Sequence, residues 1–124
     1  MRVLVVDDNR DAADSVAMLL DMYGATATVA YDGASALASL AQWWPDVVLL
    51  DLGMPSMDGY EVATRIRQTW RDRPVTLVAL TGWGQAADRD RTRAHGFDAH
   101  LVKPVGLDAL LALLADCGSA APPK

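Results

Sequence analysis

Five short apolar runs alternate with five stretches of helical periodicity along this chain, and that alternation confines it to an α/β domain built on a parallel sheet. The runs are VLVV (Val3 to Val6), ATATVA (Ala25 to Ala30), VVLL (Val47 to Leu50), VTLVAL (Val75 to Leu80) and AHLV (Ala99 to Val102). The first, third and fourth are near-continuous, as strands covered on both faces must be, whereas the second and fifth read as peripheral. Right-handed crossovers leave few arrangements of five such strands. Order 2-1-3-4-5 puts the most apolar ones inside, so the expected fold is a doubly wound five-stranded parallel sheet.

The intervening helices are expected to lay apolar stripes on that sheet: Ala13, Val16, Ala17 and Leu20 in the first, then Ala34, Leu37, Leu40 and Ala41 in the second. The third opens at Asp58, with Glu61 three residues on in a capping-box-like pair, and offers Val62 and Ile66. The last carries Leu107, Leu110, Leu111 and Leu114. The fourth, from Gln85 to His95, contains AADRDRTRA, with only small or charged residues to bury. It is expected to dock weakly and to be free to move.

The 124 residues, 52% of them hydrophobic, suit one domain with a substantial core. That domain is placed at residues 1–117, with GSAAPPK at 118–124 as a linker stub or frayed tail. A net charge of −5 argues against direct nucleic-acid binding, which depends on Lys and Arg neutralising phosphates. Cys117 stands alone and cannot form an internal disulfide, and no export signal opens the chain. No apolar run approaches the roughly 18 residues that span a bilayer. A cytosolic protein without membrane contact is expected. Leu113 and Trp70 are candidates for exposure on a dimer face.

In doubly wound sheets ligands bind outside the carboxyl ends of the strands. Here the first strand ends in Asp7-Asp8, the third in Asp51, the fourth in Thr81 and the fifth in Lys103-Pro104. With neighbouring strands about 4.8 Å apart, three carboxylates would crowd together and call for a cation. Oxygen ligands of this kind suit Mg²⁺, and Lys103 adds a point charge for a second anion such as a phosphoryl oxygen. Singly, each residue has an ordinary reading: an acidic pair favoured by a helix N-terminus, a turn-forming Asp, a strand-closing Thr, a Lys-Pro loop. Their convergence on one edge points to a metal-and-phosphoryl site.

The succession VLVVDDN, VVLLDLGMPSMDGYEV, VALTG and AHLVKP resembles the receiver domain of two-component response regulators, over essentially the whole chain. It is similar both to stand-alone receivers and to those of hybrid histidine kinases. The resemblance implies a flavodoxin-like (βα)5 fold and a phosphoacceptor rather than a turnover enzyme, with Asp51 taking a phosphoryl group from a histidine kinase, a histidine phosphotransfer protein or a small donor such as acetyl phosphate. It further implies Mg²⁺ held by Asp8 and Asp51, by the Gly53 carbonyl and through water by Asp7. Lys103 and Thr81 stabilise the transferring group. Thr81 and His100 form the switch, with Gly82, Trp83 and a cis Pro104 flanking the site. Phosphorylation would remodel the face made by the fourth helix, fifth strand and fifth helix, through which a homodimer is possible.

Three positions depart from the commonest receiver pattern. His100 replaces an aromatic residue, and either adds pH dependence or is an imidazole without a sensing role. Trp83 either shields the acyl phosphate from water or serves as a docking residue. Gly53 leaves the approach to Asp51 open. Gly53 also stands where a haloacid-dehalogenase-type phosphatase, the alternative reading, needs a second Asp. A flavin-binding domain on the same topology would need a phosphate loop after the first strand, where Asp7-Asp8 stands instead. A degenerate receiver used only for docking would lack part of a set that is complete here.

Overall fold

A computed structural model describes residues 1–54, 57–82 and 89–120. The strands are β1 (Arg2–Val6), β2 (Thr26–Ala30), β3 (Val47–Asp51), β4 (Thr76–Thr81) and β5 (Ala99–Val102). The helices are α1 (Arg10–Met22), α2 (Gly33–Gln42), α3 (Gly59–Thr69), α4 (Arg89–Ala94) and α5 (Leu107–Ala120). All neighbouring strands are parallel, in the order β2-β1-β3-β4-β5 expected from the sequence. Because side chains alternate along a strand, the three inner strands feed two separate cores. Leu4, Val6, Val48, Leu50, Leu77 and Ala79 face α2 and α3, where Ala36, Leu40, Val62, Ala63 and Ile66 meet them. Val3, Val5, Val47, Leu49, Val78 and Leu80 face α1 and α5, meeting Ala13, Val16, Leu20 and Leu110. A sheet buried on both sides needs apolar residues at consecutive positions, and the three apolar runs supply them.

The helical faces needed one correction. Ala34 and Ala41, expected on the buried stripe of α2, are exposed, and the helix buries Gly33, Ala36 and Leu40 instead. Alanine is small enough to sit on either side, so the two leucines alone left the stripe free to rotate by a residue. Side chains cap α1, α2 and α3, each accepting a hydrogen bond from a backbone N–H three residues on: Asn9 from Ala12, Asp32 from Ser35 and Asp58 from Glu61.

Helix α4 is observed from Arg89 to Ala94, and the expected start at Gln85 lies outside the described residues. Thr92 is its one buried side chain among the described residues. It is held to α3 by polar and aromatic contacts. Arg91 lies 4.0 Å over the Tyr60 ring, and His95, just beyond the helix, is 2.8 Å from the Thr64 hydroxyl. That hydroxyl already donates to the Tyr60 carbonyl, so the His95 Nδ1–H is the donor in the second bond. Arg67 continues the row, donating through Nε and Nη2 to the Gly96 carbonyl, through Nη1 to the Val75 carbonyl and through Nη2 also to Asp98. Tyr60, Thr64 and Arg67 stand at spacings of four and three, a polar stripe on α3 that apolar periodicity does not reveal.

Trp70 and Leu113 do not form an exposed face. Trp70 is partly buried with its ring edge-on to Trp44, 5.6 Å between centroids, and Leu113 packs against the core shared by α1 and α5. Leu113 sits in a helix whose pattern is apolar on more than one side, and Trp70 caps α3 in a polar stretch where its partner Trp44 is distant in sequence, so exposure could not be read from spacing. Helix α5 continues through Ala120, so the boundary drawn after Cys117 falls within its last turn, while residues 121–124 lie outside the described residues. No helix among the described residues is long and apolar enough to cross a membrane.

Candidate functional site

The inner strands stop in step. Val6 pairs with Leu50, Asp51 with Leu80 and Thr81 with Val102, so the residues that follow or close these strands lie along one rim. Asp7 is 1% exposed and Asp51 5%, whereas Asp8 is open to solvent. One carboxylate oxygen from each of the three lies within 4.8 Å of the others.

Backbone and lysine divide the oxygens of the two buried carboxylates between them. Asp7 Oδ1 accepts from the Asn9 N–H and Asp51 Oδ1 from the Gly53 N–H, both at 3.0 Å. Each is a two-residue Asx turn, the geometry by which an Asp side chain orders the loop after a strand. The remaining oxygens turn to Lys103, whose Nζ is 3.0 Å from Asp7 Oδ2 and 3.4 Å from Asp51 Oδ2. The Lys103-Pro104 peptide is cis, as the resemblance implied. Asn9 was missed as a site residue. Its position directly after Asp7-Asp8, as an Asn preceding a helix, was the available signal.

Burial pushes the Asp51 carboxyl up to about 6, and the charge of Asp7 pushes the same way, against the Gly53 N–H and Lys103, which pull it down. Burial works to lower the Lys103 ammonium, but its hydrogen bond to Asp7 and the charge of Asp51 outweigh that, and its pKa is raised. One ammonium thus stands against the two buried members of a three-carboxylate cluster, and Asp51, buried beside Asp7, resists ionisation. A hard cation fits this donor set: clustered carboxylate oxygens, one of them in the open, whose mutual repulsion it would relieve.

Thr81, 3% exposed, directs its hydroxyl toward the Leu101 carbonyl at 3.4 Å, at the long limit of a hydrogen bond. Gly82 follows it, partly buried, and Trp83 lies outside the described residues. His100 is on β5 opposite Ala79, half-buried in a hollow of about 310 Å³ that Thr92, Arg93, Phe97 and Asp98 also line. Strand β4 therefore carries Thr81 at the rim and Ala79 beside His100, which puts the two expected switch residues on neighbouring strands, two residues apart in register. Gly53 is exposed, its N–H committed to Asp51. A cleft of about 530 Å³ opens beside the rim between α1 and the chain after Pro104, bordered by Asp7, Asn9, Ala12, Leu19, Lys103 and Val105.

A parallel doubly wound domain with an acidic rim and one lysine across it falls in the class of open α/β proteins whose site lies outside the carboxyl ends of the strands. The sequence matches the response regulator receiver domain family over residues 3–115, and the chain belongs to that family. It is 35% identical over 123 residues to a 14.6 kDa protein of Leptolyngbya boryana, covering 99% of this chain and 94% of that one. It is 38% identical over 112 residues to the response regulator MprA of Mycobacterium ulcerans, covering 90% of this chain but 47% of MprA, so it spans about half the length of that relative. Among solved structures it is similar to the chemotaxis protein CheY4 of Vibrio cholerae, with a TM-score of 0.86, 29% identity and coverage of 94% and 97% of the two chains. It is also similar, with a TM-score of 0.87, 26% identity and coverage of 96% and 89%, to the Saccharomyces cerevisiae Ssk1 receiver domain solved in complex with the phosphotransfer protein Ypd1.

Proposed function

We propose that this receiver accepts a phosphoryl group on Asp51 from the phosphohistidine of a kinase or phosphotransfer protein, with Mg²⁺. The observation that carries this reading is the placement of Asp51 between Asp7, Asp8 and Lys103, with one carboxylate oxygen held by the Gly53 N–H and the other 3.4 Å from the Lys103 ammonium. The tied oxygen fixes the carboxylate's direction, and the one facing Lys103 is the nucleophile. It attacks phosphorus as the phosphorus–nitrogen bond to histidine breaks, and the electron pair of that bond returns to the imidazole. Asp8, Asp51 and the Gly53 carbonyl would hold the metal, with Asp7 bonding to a coordinated water. Bound there, Mg²⁺ supplies positive charge to the phosphoryl oxygens. Lys103 leaves its carboxylate pairs for the incoming phosphoryl oxygen, a compact charge on a flexible stem.

The phosphoryl group then offers Thr81 a stronger acceptor than the Leu101 carbonyl, whose bond at 3.4 Å is cheap to give up. Thr81 turns its hydroxyl from the Leu101 carbonyl to the phosphoryl group, His100 turns inward, and the face of α4, β5 and α5 is reshaped. That face presents Val102, 48% exposed, to an output partner or to a second copy of the chain. The cleft beside α1 suits a histidine-bearing donor, since it leads from the apolar Leu19 and Val105 directly to Asp7 and Lys103. The likeness to a receiver solved with a phosphotransfer protein supports that kind of donor.

Incubation with acetyl phosphate or beryllofluoride and Mg²⁺ is expected to give an adduct, detectable by mass or by fluorine resonance, that Asp51→Asn abolishes. No Mg²⁺-dependent adduct, or one that survives that substitution, would sink the proposal. Sustained turnover of phosphate esters would favour the phosphatase instead.

A further inference from the structure

Two helices begin with the same pair of residues: Asp32-Gly33 opens α2 and Asp58-Gly59 opens α3, the aspartate capping and the glycine in the first turn. Neither glycine has a positive φ. Backbone freedom therefore does not explain them, and alanine would form either helix more readily. Space explains them. A Cβ on Gly59 would stand 2.5 Å from the Asp51 carbonyl oxygen, 2.9 Å from Leu52 Cα and 3.0 Å from the Asp51 carbonyl carbon, all backbone atoms that cannot swing aside. A Cβ on Gly33 would stand 2.8 Å from Val62 Cγ2 and 2.9 Å from Met57 Sδ. Val62 is fully buried and β-branched, so it yields little, and Met57 belongs to the connection between β3 and α3.

We propose that Gly33 and Gly59 are positioning residues for Asp51. Through Gly59, α3 is seated on the backbone of Asp51 itself. Through Gly33, α2 presses on Met57 and Val62, at either side of that seat. The two close approaches act in series, so the place of α2 sets how the chain after β3 presents the Gly53 amide to Asp51 Oδ1. The chain around these contacts is otherwise anchored by Met54, 4% exposed in the core facing α2 and α3. With both ends wedged against helices, the Gly53 amide has little room to leave the carboxylate. The consequence for metal and phosphoryl binding rests on the receiver reading, whereas the positioning itself does not.

The test uses the metal-free full chain, with amide hydrogen exchange read by NMR at Gly53 and, as internal references, at Val5 and Leu49. Gly33→Ala is expected to speed exchange at Gly53 by about fivefold or more while leaving the two central-strand amides unchanged. Adding Met57→Ala removes the Sδ that would stand 2.9 Å from the new methyl group, so that the methyl can shift away from Val62, and is expected to recover part of that change. Gly59→Ala should act in the same direction and more strongly. If it does not fold, the Gly33 and Met57 variants carry the test. In parallel, Mg²⁺ titration of Gly33→Ala should show affinity weakened by about threefold to tenfold, partly restored by the same second substitution. Exchange at Gly53 that is unchanged, that rises in proportion to Val5 and Leu49, or that Met57→Ala does not recover overturns the proposal. If the wild-type chain binds no Mg²⁺, the receiver reading fails, and the exchange comparison still decides the role of the glycines.

Discussion

Asp51 keeps its proton up to about pH 6 in the folded protein, against 3.8 in an unconstrained chain, because it is buried beside Asp7. Below 3.8 both states are protonated and the group contributes nothing to stability. Between there and about 6 the unfolded chain loses the proton first, so stability falls as pH rises, by up to about 3 kcal/mol once the folded carboxyl has ionised. Asp51→Asn removes that penalty. In metal-free buffer at pH 8 it is expected to raise stability by about 1–3 kcal/mol in urea denaturation, with the gain gone by pH 4. An equal gain at both pH values would show that the effect is not ionic. The identities of Asp7, Asp8, Asp51, Thr81 and Lys103 were legible from their places at strand ends, since a parallel sheet brings those ends to one rim. Their division of labour was not, because which oxygen meets the backbone and which meets Lys103 depends on the two Asx turns.

Among the elements, α4 departs furthest from what apolar periodicity foretells. The turn that follows it is tied to α3 by Arg67, whose three nitrogens reach the Gly96 and Val75 carbonyls and Asp98. The Asp98 pair is half exposed and adds little by itself. The carbonyl bonds matter more. Arg67→Ala is expected to cost about 1–3 kcal/mol and to speed amide exchange in α4 more than in α1 or α2. Arg67→Lys should recover little of this, since one ammonium cannot reproduce the planar fork. Gly96→Ala should resemble Arg67→Ala, because Gly96 has φ +95 and a Cβ there would meet Arg67 Cγ at 2.7 Å. The strands and the order of elements were readable because each apolar run is long enough to exclude other placements. The seating of α2 and α4 was not: alanines leave a helical face undecided, and a stripe of Tyr, Thr and Arg looks like solvent-facing surface until a partner helix is present.

For the molecule as a whole, the acidic rim would link stability to any divalent cation that it holds. If Mg²⁺ binds the folded chain alone, saturating it should raise the melting temperature, with a stabilisation of about 2.7 kcal/mol at a hundred times the dissociation constant. The same carboxyl that titrates near 6 makes this effect fade in acid, since proton and metal compete for Asp51. Melting curves with and without 10-fold more Mg²⁺ should therefore converge between about pH 6 and pH 4. Fluorescence offers a second reading. Trp43, Trp44 and Trp70 flank the amino ends of the strands, where the Trp44 ring nitrogen donates to the Pro74 carbonyl and Arg73 stacks at 4.1 Å. The sequence puts Trp83 two residues beyond Thr81. A Mg²⁺-dependent change in emission should accordingly vanish in Trp83→Phe and persist in Trp43→Phe.

The parallel sheet gives the molecule two poles that share almost no side chains. Carboxylates and a lysine occupy one, while indole rings stacked with arginines, with an Arg2 amide bound to Asp46, occupy the other. Substitutions at the aromatic pole should trade in solubility and heat tolerance while signalling is left alone, and substitutions at the acidic pole should do the reverse. A library randomised at one pole and selected at the other would then find few compromises to make, which is the condition under which a module can be rewired to new partners without being refolded.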